Sequence, residues 1–368
     1  MLSRRLLVFL ILASATLSFA DDGKVHHPTL TPQTSGTTQL LIAVSPVNSR
    51  VVWASGTGGT YLLTMDGGNA WKAAVVPGAE SLEFRGVHGV SDKIAYLMSI
   101  GNNTTDFRIY KTIDGGKHWT IEFTNQLAGA FYDCFGFWTS RRGIAHSDSV
   151  NGVFPELRTE DGKTWQSIAA NMPPALAGEA SFAASNTCVA TEGEENAWVA
   201  TGAQSTAARI LATRDGGDTW NAYDTPLVTS PSAGAISVAF RDAWHGIVGG
   251  GDLASNSSAD AATSDDGGQT WTLTSTPPVQ GSIFCLAYVQ GKHHDDEGED
   301  DDHRFERTVV ITAETAPNFN SGSAAWTPDE GRTWNTLPNV SGYWAVGFAN
   351  PHAGWFVGNN GQILKISF

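Results

Sequence analysis

Short runs of apolar and β-branched residues recur along this chain, and none of them has a convincing helical period. In one repeat the runs cover residues 235–240, 245–248 and 261–264, with Gly, Asn, Asp and Ser between them. Runs of this length bounded by turn residues are typical of β-strands. Equivalent first runs in other repeats cover residues 41–44, 84–87, 134–137, 181–184 and 283–288. The pattern predicts an all-β protein with many tight turns, which its 40 glycines would serve.

A short box follows most of these repeats. It contains a hydroxyl residue, an Asp two positions later, a Gly two further and a Trp three after that. The cleanest copy runs from Ser264 through Asp266 and Gly268 to Trp271. Registered on the Trp, the other copies contain Asp66 and Trp71, Asp114 and Trp119, Glu160 and Trp165, Asp215 and Trp220, and Asp329 and Trp334. Because Asp can accept hydrogen bonds from nearby N–H groups and Gly tolerates positive φ, the box predicts a structural hairpin turn.

The spacing of the box tryptophans predicts the architecture. Successive intervals are 48, 46, 55, 51 and 63 residues, which is the period of a four-stranded propeller blade. The last interval contains an acidic and His-rich insertion, residues 292–303. After the final box only three strand runs remain, so residues 27–33 are predicted to supply the fourth. We therefore predict a seven-bladed β-propeller of four-stranded antiparallel blades, closed by an N-terminal strand that completes the last blade.

The amino terminus has the pattern of a secretory signal. Arg4 and Arg5 precede an apolar run over residues 6–17, and Ser18 and Ala20 then provide small residues at the cleavage positions. We expect residues 1–20 to be removed and residues 21–368 to form one propeller domain, exported to the periplasm or the extracellular space as a monomer. An uncleaved anchor is the alternative. No later stretch approaches the length needed to span a bilayer.

Charge and cysteine content narrow the possible partners. The chain has 22 basic and 37 acidic residues, a net charge of −15, which disfavours nucleic acid as a partner. Cys134, Cys188 and Cys285 lie far apart in sequence; at most one disulfide could form, which would leave one thiol over, and buried free cysteines are the simpler interpretation. Contiguous like charges in residues 292–303 cannot converge on one ion without a fixed backbone, so we predict a solvated loop there, no metal site and no cofactor.

The boxes, together with residues 33–38, 53–56 and 354–361, resemble a known family of repeats. They are similar to the Asp-box, or bacterial neuraminidase repeat (BNR), of sialidases and some xyloglucan hydrolases. The whole mature chain most resembles exported bacterial relatives of the plant photosystem II stability and assembly factor group. This resemblance implies a sialidase-like propeller whose boxes lie at the periphery, away from an axial pocket. It leaves the chemistry open, because such blades occur in both hydrolases and assembly factors.

Two enzyme hypotheses can be tested on the sequence. A sialidase needs three arginines, a Tyr nucleophile with a Glu partner, and an Asp acid. Residues 107–110 resemble the sialidase Phe-Arg-Ile-Pro signature, but they directly precede the second box, and Arg209 occupies the same slot before a later box. Another glycosidase would need two carboxyl groups across an axial cleft. The carboxylate candidates are Glu83, Asp133, Asp148, Glu179 and Asp252, and the candidate ligand contacts are Arg85, Arg209, Asp148 and Glu179.

The leading hypothesis from sequence is a non-catalytic, assembly-factor-like scaffold that binds a protein or glycan partner at one face of the ring. The alternative is a glycoside hydrolase or lyase that uses axial carboxylates. The competing interpretation of those acids is that all of them are solvated loop residues. The chain contains no phosphate-binding loop, no His-Glu-x-x-His, no CxxC and no Gly-x-Ser-x-Gly motif.

Overall fold

A computed structural model describes residues 27–290 and 303–368. The predicted signal, residues 1–20, and almost all of the insertion at 292–303 lie outside the described residues. Over the two described ranges the chain is all-β, with no α-helix. Its only helical turns there are four short 3-10 helices, at Thr104–Asp106, Ala169–Asn171, His303–Phe305 and Asn359–Gly361. None of these is long or apolar enough to cross a bilayer.

The described residues form 28 strands in seven four-stranded units, numbered 1 to 7 from β2 onwards. Unit 1 contains β2 (Leu41–Pro46), β3 (Val52–Gly56), β4 (Thr60–Thr64) and β5 (Lys72–Val75). Unit 2 contains β6 (Glu83–Gly89), β7 (Ala95–Ile100), β8 (Arg108–Thr112) and β9 (Thr120–Thr124). Unit 3 contains β10 (Tyr132–Phe137), β11 (Gly143–Ser147), β12 (Leu157–Thr159) and β13 (Trp165–Ser167). Unit 4 contains β14 (Val189–Glu192), β15 (Asn196–Thr201), β16 (Arg209–Thr213) and β17 (Asn221–Asp224). Unit 5 contains β18 (Ala233–Phe240), β19 (Gly246–Asp252), β20 (Ala261–Ser264) and β21 (Thr272–Leu273). Unit 6 contains β22 (Ser282–Tyr288), β23 (Val309–Glu314), β24 (Ser323–Thr327) and β25 (Asn335–Leu337). Unit 7 contains β26 (Tyr343–Asn350), β27 (Ala353–Gly358), β28 (Gln362–Ser367) and β1 (Thr29–Thr34).

All strand pairings within the units are antiparallel. Five units are separate sheets, while units 5 and 6 are joined by the single pairing of Gly251 with Ser282. The first strand of each unit contacts the first strand of the next unit, and β26 of unit 7 contacts β2 of unit 1. The fourth strand of unit 7 comes from the other end of the chain, because β1 pairs with β28 from Thr29 opposite Ser367 to Thr34 opposite Gln362.

The apolar core lies between successive units. The second strands contribute large side chains with no exposed surface, such as Trp53, Trp198 and Trp355. The first strands supply a separate central cluster, in which Ile42 and Ile236 pack with Phe284 and Trp344 although they come from four different units. Burial on both faces of each unit explains why its inner strands have nearly continuous apolar runs.

Unit 4 departs from the pattern in its first strand. Residues 181–184, predicted as that strand, are not a strand; β14 begins only at Val189. Residues 181–187 instead bond to the first strands of three other units. Ser185 Oγ donates to the Phe284 carbonyl oxygen at 2.6 Å, Asn186 Oδ1 accepts from the Phe135 N–H at 2.9 Å, and Thr187 Oγ1 bonds Ser237 Oγ at 2.7 Å. We call residues 181–187 the axial segment. Its polar side chains are therefore bonded to several units rather than to a single strand ladder.

A disulfide fixes the end of the axial segment. Cys188 is bonded to Cys134 in β10, with a Cα–Cα distance of 5.9 Å, while Cys285 is buried and free. The single disulfide that the sequence allowed is therefore formed, and the simpler interpretation of buried free cysteines holds for Cys285 alone. The sequence could not reveal this pairing because the two cysteines are 54 residues apart and meet only where units 3 and 4 pack together.

The box turns are held by their own side chains, as their residue types predict. In unit 5, the N–H of Gly268 donates to Ser264 Oγ at 2.9 Å, and the N–H of Thr270 donates to Asp266 Oδ1 at 3.0 Å. Gly267 and Gly268 have φ of +76° and +87°, which disfavours a side chain at either position. The boxes at Asp66, Asp114, Asp215 and Asp329 repeat the same arrangement.

The box of unit 3 needs a correction of register. Asp161, rather than Glu160, accepts the backbone N–H of Thr164 at 2.7 Å, and Gly162 donates to Thr159 Oγ1 at 2.9 Å. This box has one Gly where the unit 5 box has two, so counting back from the Trp shifts the acid by one position. Glu160 is largely exposed and pairs instead with Arg142 and Arg158.

Box carbonyl groups also fasten neighbouring units together. Tyr61 Oη of unit 1 donates to the Gly116 carbonyl oxygen of unit 2 at 2.6 Å, and Trp198 Nε1 of unit 4 donates to the Gly267 carbonyl oxygen of unit 5 at 2.8 Å. From unit 7, Gln33 donates to the Gly67 carbonyl oxygen of unit 1 and accepts from Trp71 Nε1. The boxes are therefore bonded to the preceding unit as well as within themselves.

Candidate functional site

A cavity of about 340 Å³ opens at the end of the units opposite to the boxes. The strand registers establish these two ends: in unit 2, Glu83 lies opposite Ile100, whereas Gly89 lies opposite Ala95, which pairs with Thr112 at the start of the box. The cavity lining includes residues of units 2 to 7, so it lies where the first strands converge. We call it the axial cavity.

Aromatic side chains form much of its wall. Phe284 contacts Trp344 edge to face with ring centroids 5.0 Å apart, and Phe319 lies 5.4 Å from Phe284. Phe131 and Phe182, the latter in the axial segment, complete the aromatic lining. Trp344 Nε1 donates to the Phe319 carbonyl oxygen at 3.0 Å, which fixes the loop that carries Phe319. The result is a largely apolar funnel with a few polar groups, as ligand sites usually are.

Arg85 is the arginine of the cavity wall, and it is already engaged. Its Nε and Nη2 atoms donate to Glu83 Oε2 at 3.0 and 2.8 Å, and its Nη1 donates to the Ala183 carbonyl oxygen at 2.7 Å. The guanidinium carbon lies 5.4 Å from the Trp344 ring centroid, a cation–π distance. Glu83 therefore neutralises Arg85, and this pair adds no net charge to the cavity.

Asp133 and Asp148 meet in the cavity wall. Asp148 Oδ1 accepts the Ser181 N–H at 2.8 Å, whereas Asp133 is 1 % exposed and its Oδ2 has no hydrogen-bond partner. Burial raises the pKa of Asp133 well above its usual value, and the charge and hydrogen bond of Asp148 add to this. Burial also raises the pKa of Asp148, against the opposing effect of the Ser181 N–H. The two acids hold a proton between them more tightly than two solvated carboxyls would.

Glu179 and Arg209 do not belong to this site, although both were predicted as ligand contacts. Arg209 Nε donates to Glu179 Oε1 at 2.9 Å and Nη2 to Glu179 Oε2, while Thr201 Oγ1 donates to the same Oε1 at 2.6 Å. Glu179 is fully buried, and its Oε2 also accepts the Leu176 N–H at 2.8 Å. A buried carboxylate needs such partners, so the pair holds unit 4 together instead of facing a ligand.

The other predicted residues are nearby but differently used. Asp252 accepts from Ser232 Oγ at 2.7 Å and from the Ala254 N–H at 2.9 Å, so it closes a loop; its neighbour Leu253 lines the cavity. Arg108, from the sialidase-like run, bonds the Thr105 carbonyl oxygen at 2.7 Å. The axial lining in the described ranges contains one arginine, and the three-arginine cluster of a sialidase is not formed there.

Sequence reasoning missed the aromatic wall. Phe131 lies just before β10, and Trp344 lies near the start of β26, so both occupy the same strand end as the predicted acids. This shared position could have identified Phe131 and Trp344 as site residues from the sequence. Phe319 and Phe182 had no such signal, because one is in a long loop and the other was assigned to a strand.

Comparison with known proteins identifies the class of fold. YCF48 bound to D1 peptide superimposes with a TM-score of 0.61 at 17% identity, covering 92% of this chain and 97% of that one. YCF48 from Cyanidioschyzon merolae gives 0.60 at 18% identity over 92% and 98%, and the WD40 β-propeller domain of Doa1 gives 0.54 at 13% over 92% and 97%. No family model and no curated protein sequence matches this chain. The protein has a β-propeller fold like these structures.

Proposed function

We propose that this protein is a non-catalytic propeller scaffold that binds a segment of a partner protein in the axial cavity. The observation that carries the proposal is the aromatic funnel at the end opposite the boxes, formed by Phe182, Phe284, Phe319 and Trp344. Aromatic pockets of this kind hold the anchoring side chains of protein partners. The structural likeness to YCF48, described as bound to a D1 peptide, supports a peptide ligand over a glycan.

The finer architecture is part of this proposal. We infer a closed ring of seven blades, with β1 completing the last one, and a single domain over residues 21–368. The contact of β26 with β2 and the bonds of Gln33 to the first box support closure. The box geometry supports a relation to Asp-box proteins, including exported bacterial relatives of the photosystem II assembly factor group.

We also propose that the chain is exported, as a monomer, after loss of residues 1–20. Two features support export: the signal-like pattern of the amino terminus, and the disulfide between Cys134 and Cys188, since disulfides persist in oxidising compartments. Expression with the native amino terminus, followed by fractionation and amino-terminal sequencing of the mature protein, tests this. A cytoplasmic, uncleaved product would contradict it.

The axial acids give little support to the alternative of a glycoside hydrolase or lyase. Glycosidase carboxyls face each other across the substrate, about 5 to 10 Å apart. Asp133 and Asp148 instead interact directly with each other. A screen on chromogenic glycosides with the parent, Asp133→Asn and Asp148→Ala tests the alternative. Turnover by the parent that either substitution abolishes would replace the scaffold proposal with the enzyme.

Peptide binding is tested by selecting from a displayed library of random peptides against the intact protein. We expect Phe319→Ala and Phe182→Ala to weaken the selected peptides at least about tenfold, because each removes an aromatic contact surface. Both residues lie in loops and are only partly buried, so the variants should fold. Trp244→Ala is the matched control, since Trp244 is 52 % exposed and lies outside the axial lining. Peptides insensitive to both axial variants, or no peptides at all, would overturn the proposal.

A further inference from the structure

The axial cavity contains a buried acid that the fold itself leaves incompletely bonded. Asp133 comes from β10 and Asp148 follows β11, so the antiparallel pairing of these strands brings the two carboxyls together. A buried carboxyl oxygen without a partner costs stability, yet Asp133 Oδ2 is in this state on the cavity wall. A ligand that offers a hydrogen-bond donor there would remove that cost.

The charge of the cavity indicates the type of donor. Arg85 is neutralised by Glu83, and three of its N–H groups are already used. His146 lies near Asp148, but its ring bonds Glu156 at 2.7 Å within unit 3. The acidic groups that remain in the described lining are the two aspartates; the charge of Arg85 acts on Asp133, but burial outweighs it. An anionic ligand would be repelled, while a cation would be attracted.

The shape of the cavity favours a cation with an apolar stem. Phe131 and Phe182 offer ring surface along the wall, and Phe319 stands on a neighbouring loop. Long basic side chains pack their methylene groups against such surface while the charged head reaches polar partners, and aromatic faces attract the head. The net charge of −15 would further favour encounter with a basic partner segment.

We propose that the axial cavity receives a lysine or arginine side chain of the partner segment, whose charged head bonds Asp133 and Asp148. This inference rests on the proposed peptide-binding function and adds the chemistry of the anchoring residue. A cation bound there would lower the raised pKa values of both acids, so binding should be accompanied by proton release. Glu83, Arg85 and His146 are the other charged or titratable groups around the pair.

The test uses the peptides selected against the full chain. We expect lysine or arginine to be enriched at one position, and replacement of that residue by norleucine to weaken binding by roughly 10-fold to 100-fold, as loss of a charged hydrogen bond does. Asp133→Asn and Asp148→Asn should remove most of that difference between the two peptides. Asp252→Asn, at the same end but outside the cavity lining, should leave it unchanged.

A second readout separates a ligand contact from a merely structural role. Calorimetric titrations near neutral pH, in two buffers with different ionisation enthalpies, should detect proton release by the parent and none by Asp133→Asn. If axial peptides are selected but norleucine replaces the basic residue without loss, or if no protons are released, this inference fails while the scaffold proposal stands. If no axial peptides are selected, the scaffold proposal itself fails. The norleucine comparison needs no protein variant, so it remains decisive even if Asp133→Asn misfolds.

Discussion

Aspartate side chains have opposite roles at the two ends of the propeller. At the box end, Asp161 is exposed and accepts several N–H bonds, with those of Thr164 and Lys163 the most important, and these lower its pKa to about 2. At the axial end, Asp133 is buried beside a second acid, and its pKa is raised well above the usual value. The difference shows that burial and local backbone donors, rather than the residue type, decide whether the pKa of an Asp is raised or lowered.

The largest expected effect is at the box end, where Trp198 packs between units 4 and 5. Its ring stacks on Phe240 with centroids 3.6 Å apart, and its Nε1 donates to the box carbonyl oxygen of Gly267. We expect Trp198→Ala to lower the free energy of unfolding by about 4 kcal/mol, through lost burial and an unpaired carbonyl. Denaturant unfolding measures it. Trp244→Ala, at an exposed Trp, should cost less than about 0.5 kcal/mol, and equal losses would contradict the contrast.

Nearer the axis, the disulfide between Cys134 and Cys188 should contribute about 3 kcal/mol, since it closes a long loop in the unfolded chain. We expect the double variant Cys134→Ser, Cys188→Ser to unfold at correspondingly lower denaturant concentration. Reductant should lower the midpoint of the parent and leave that of the double variant unchanged. An effect of reductant on the double variant would show that another thiol is responsible.

At the axial end, Glu314 should give a pH dependence of stability opposite in sign to that of the box aspartates. Burial raises its pKa to about 7, although Oε2 accepts the Gly322 N–H at 3.0 Å. The folded state therefore keeps a proton that the unfolded state loses, and stability falls as pH rises from about 4.5 through about 7. We expect Glu314→Gln to raise the free energy of unfolding at pH 8 by about 2 to 3 kcal/mol and to leave it nearly unchanged at pH 4.

At the box end, stability should instead fall as the pH falls. The pKa of Asp114 is lowered to about 2, chiefly by the His118 N–H, so its contribution is present above about pH 4 and lost as pH falls towards 2. Unfolding measured for the parent and Asp114→Asn across this acid range is the check. A decline of equal steepness in both proteins would argue against a role of the box carboxylate.

The smallest effect concerns the register of the unit 3 box. Asp161→Ala should lower the melting temperature by about 2 °C, because the N–H groups of Lys163 and Thr164 lose their acceptor. Glu160→Ala, its neighbour, should change it little, since its pairs with Arg142 and Arg158 lie at the surface. Differential scanning fluorimetry of the two variants compares them directly, and the reverse ranking would restore Glu160 as the box acid.

Sequence reasoning succeeded where the interactions are local. Ser264, Asp266 and Gly268 interact within four residues of one another, so their types and spacing were enough to predict the turn. It failed at the unit 3 box, where the segment between the acid and the Trp is one residue shorter, so Glu160 was assigned as the box acid in place of Asp161. It also assigned residues 181–184 to a strand, because an apolar run has the same pattern whether it pairs in a sheet or packs between several units.

What the sequence alone determined is the repeating β-unit, its box turns and the all-β class, because each depends on contacts a few residues apart. Only the tertiary structure decided the site. Asp133 and Asp148 meet through strand pairing, Arg85 of unit 2 reaches the Ala183 carbonyl oxygen, and Phe319 and Trp344 come from units 6 and 7. Glu179 and Arg209 looked like site residues until the fold paired them. Burial, which sets the protonation of these groups, is a property of the packed units and not of any one segment.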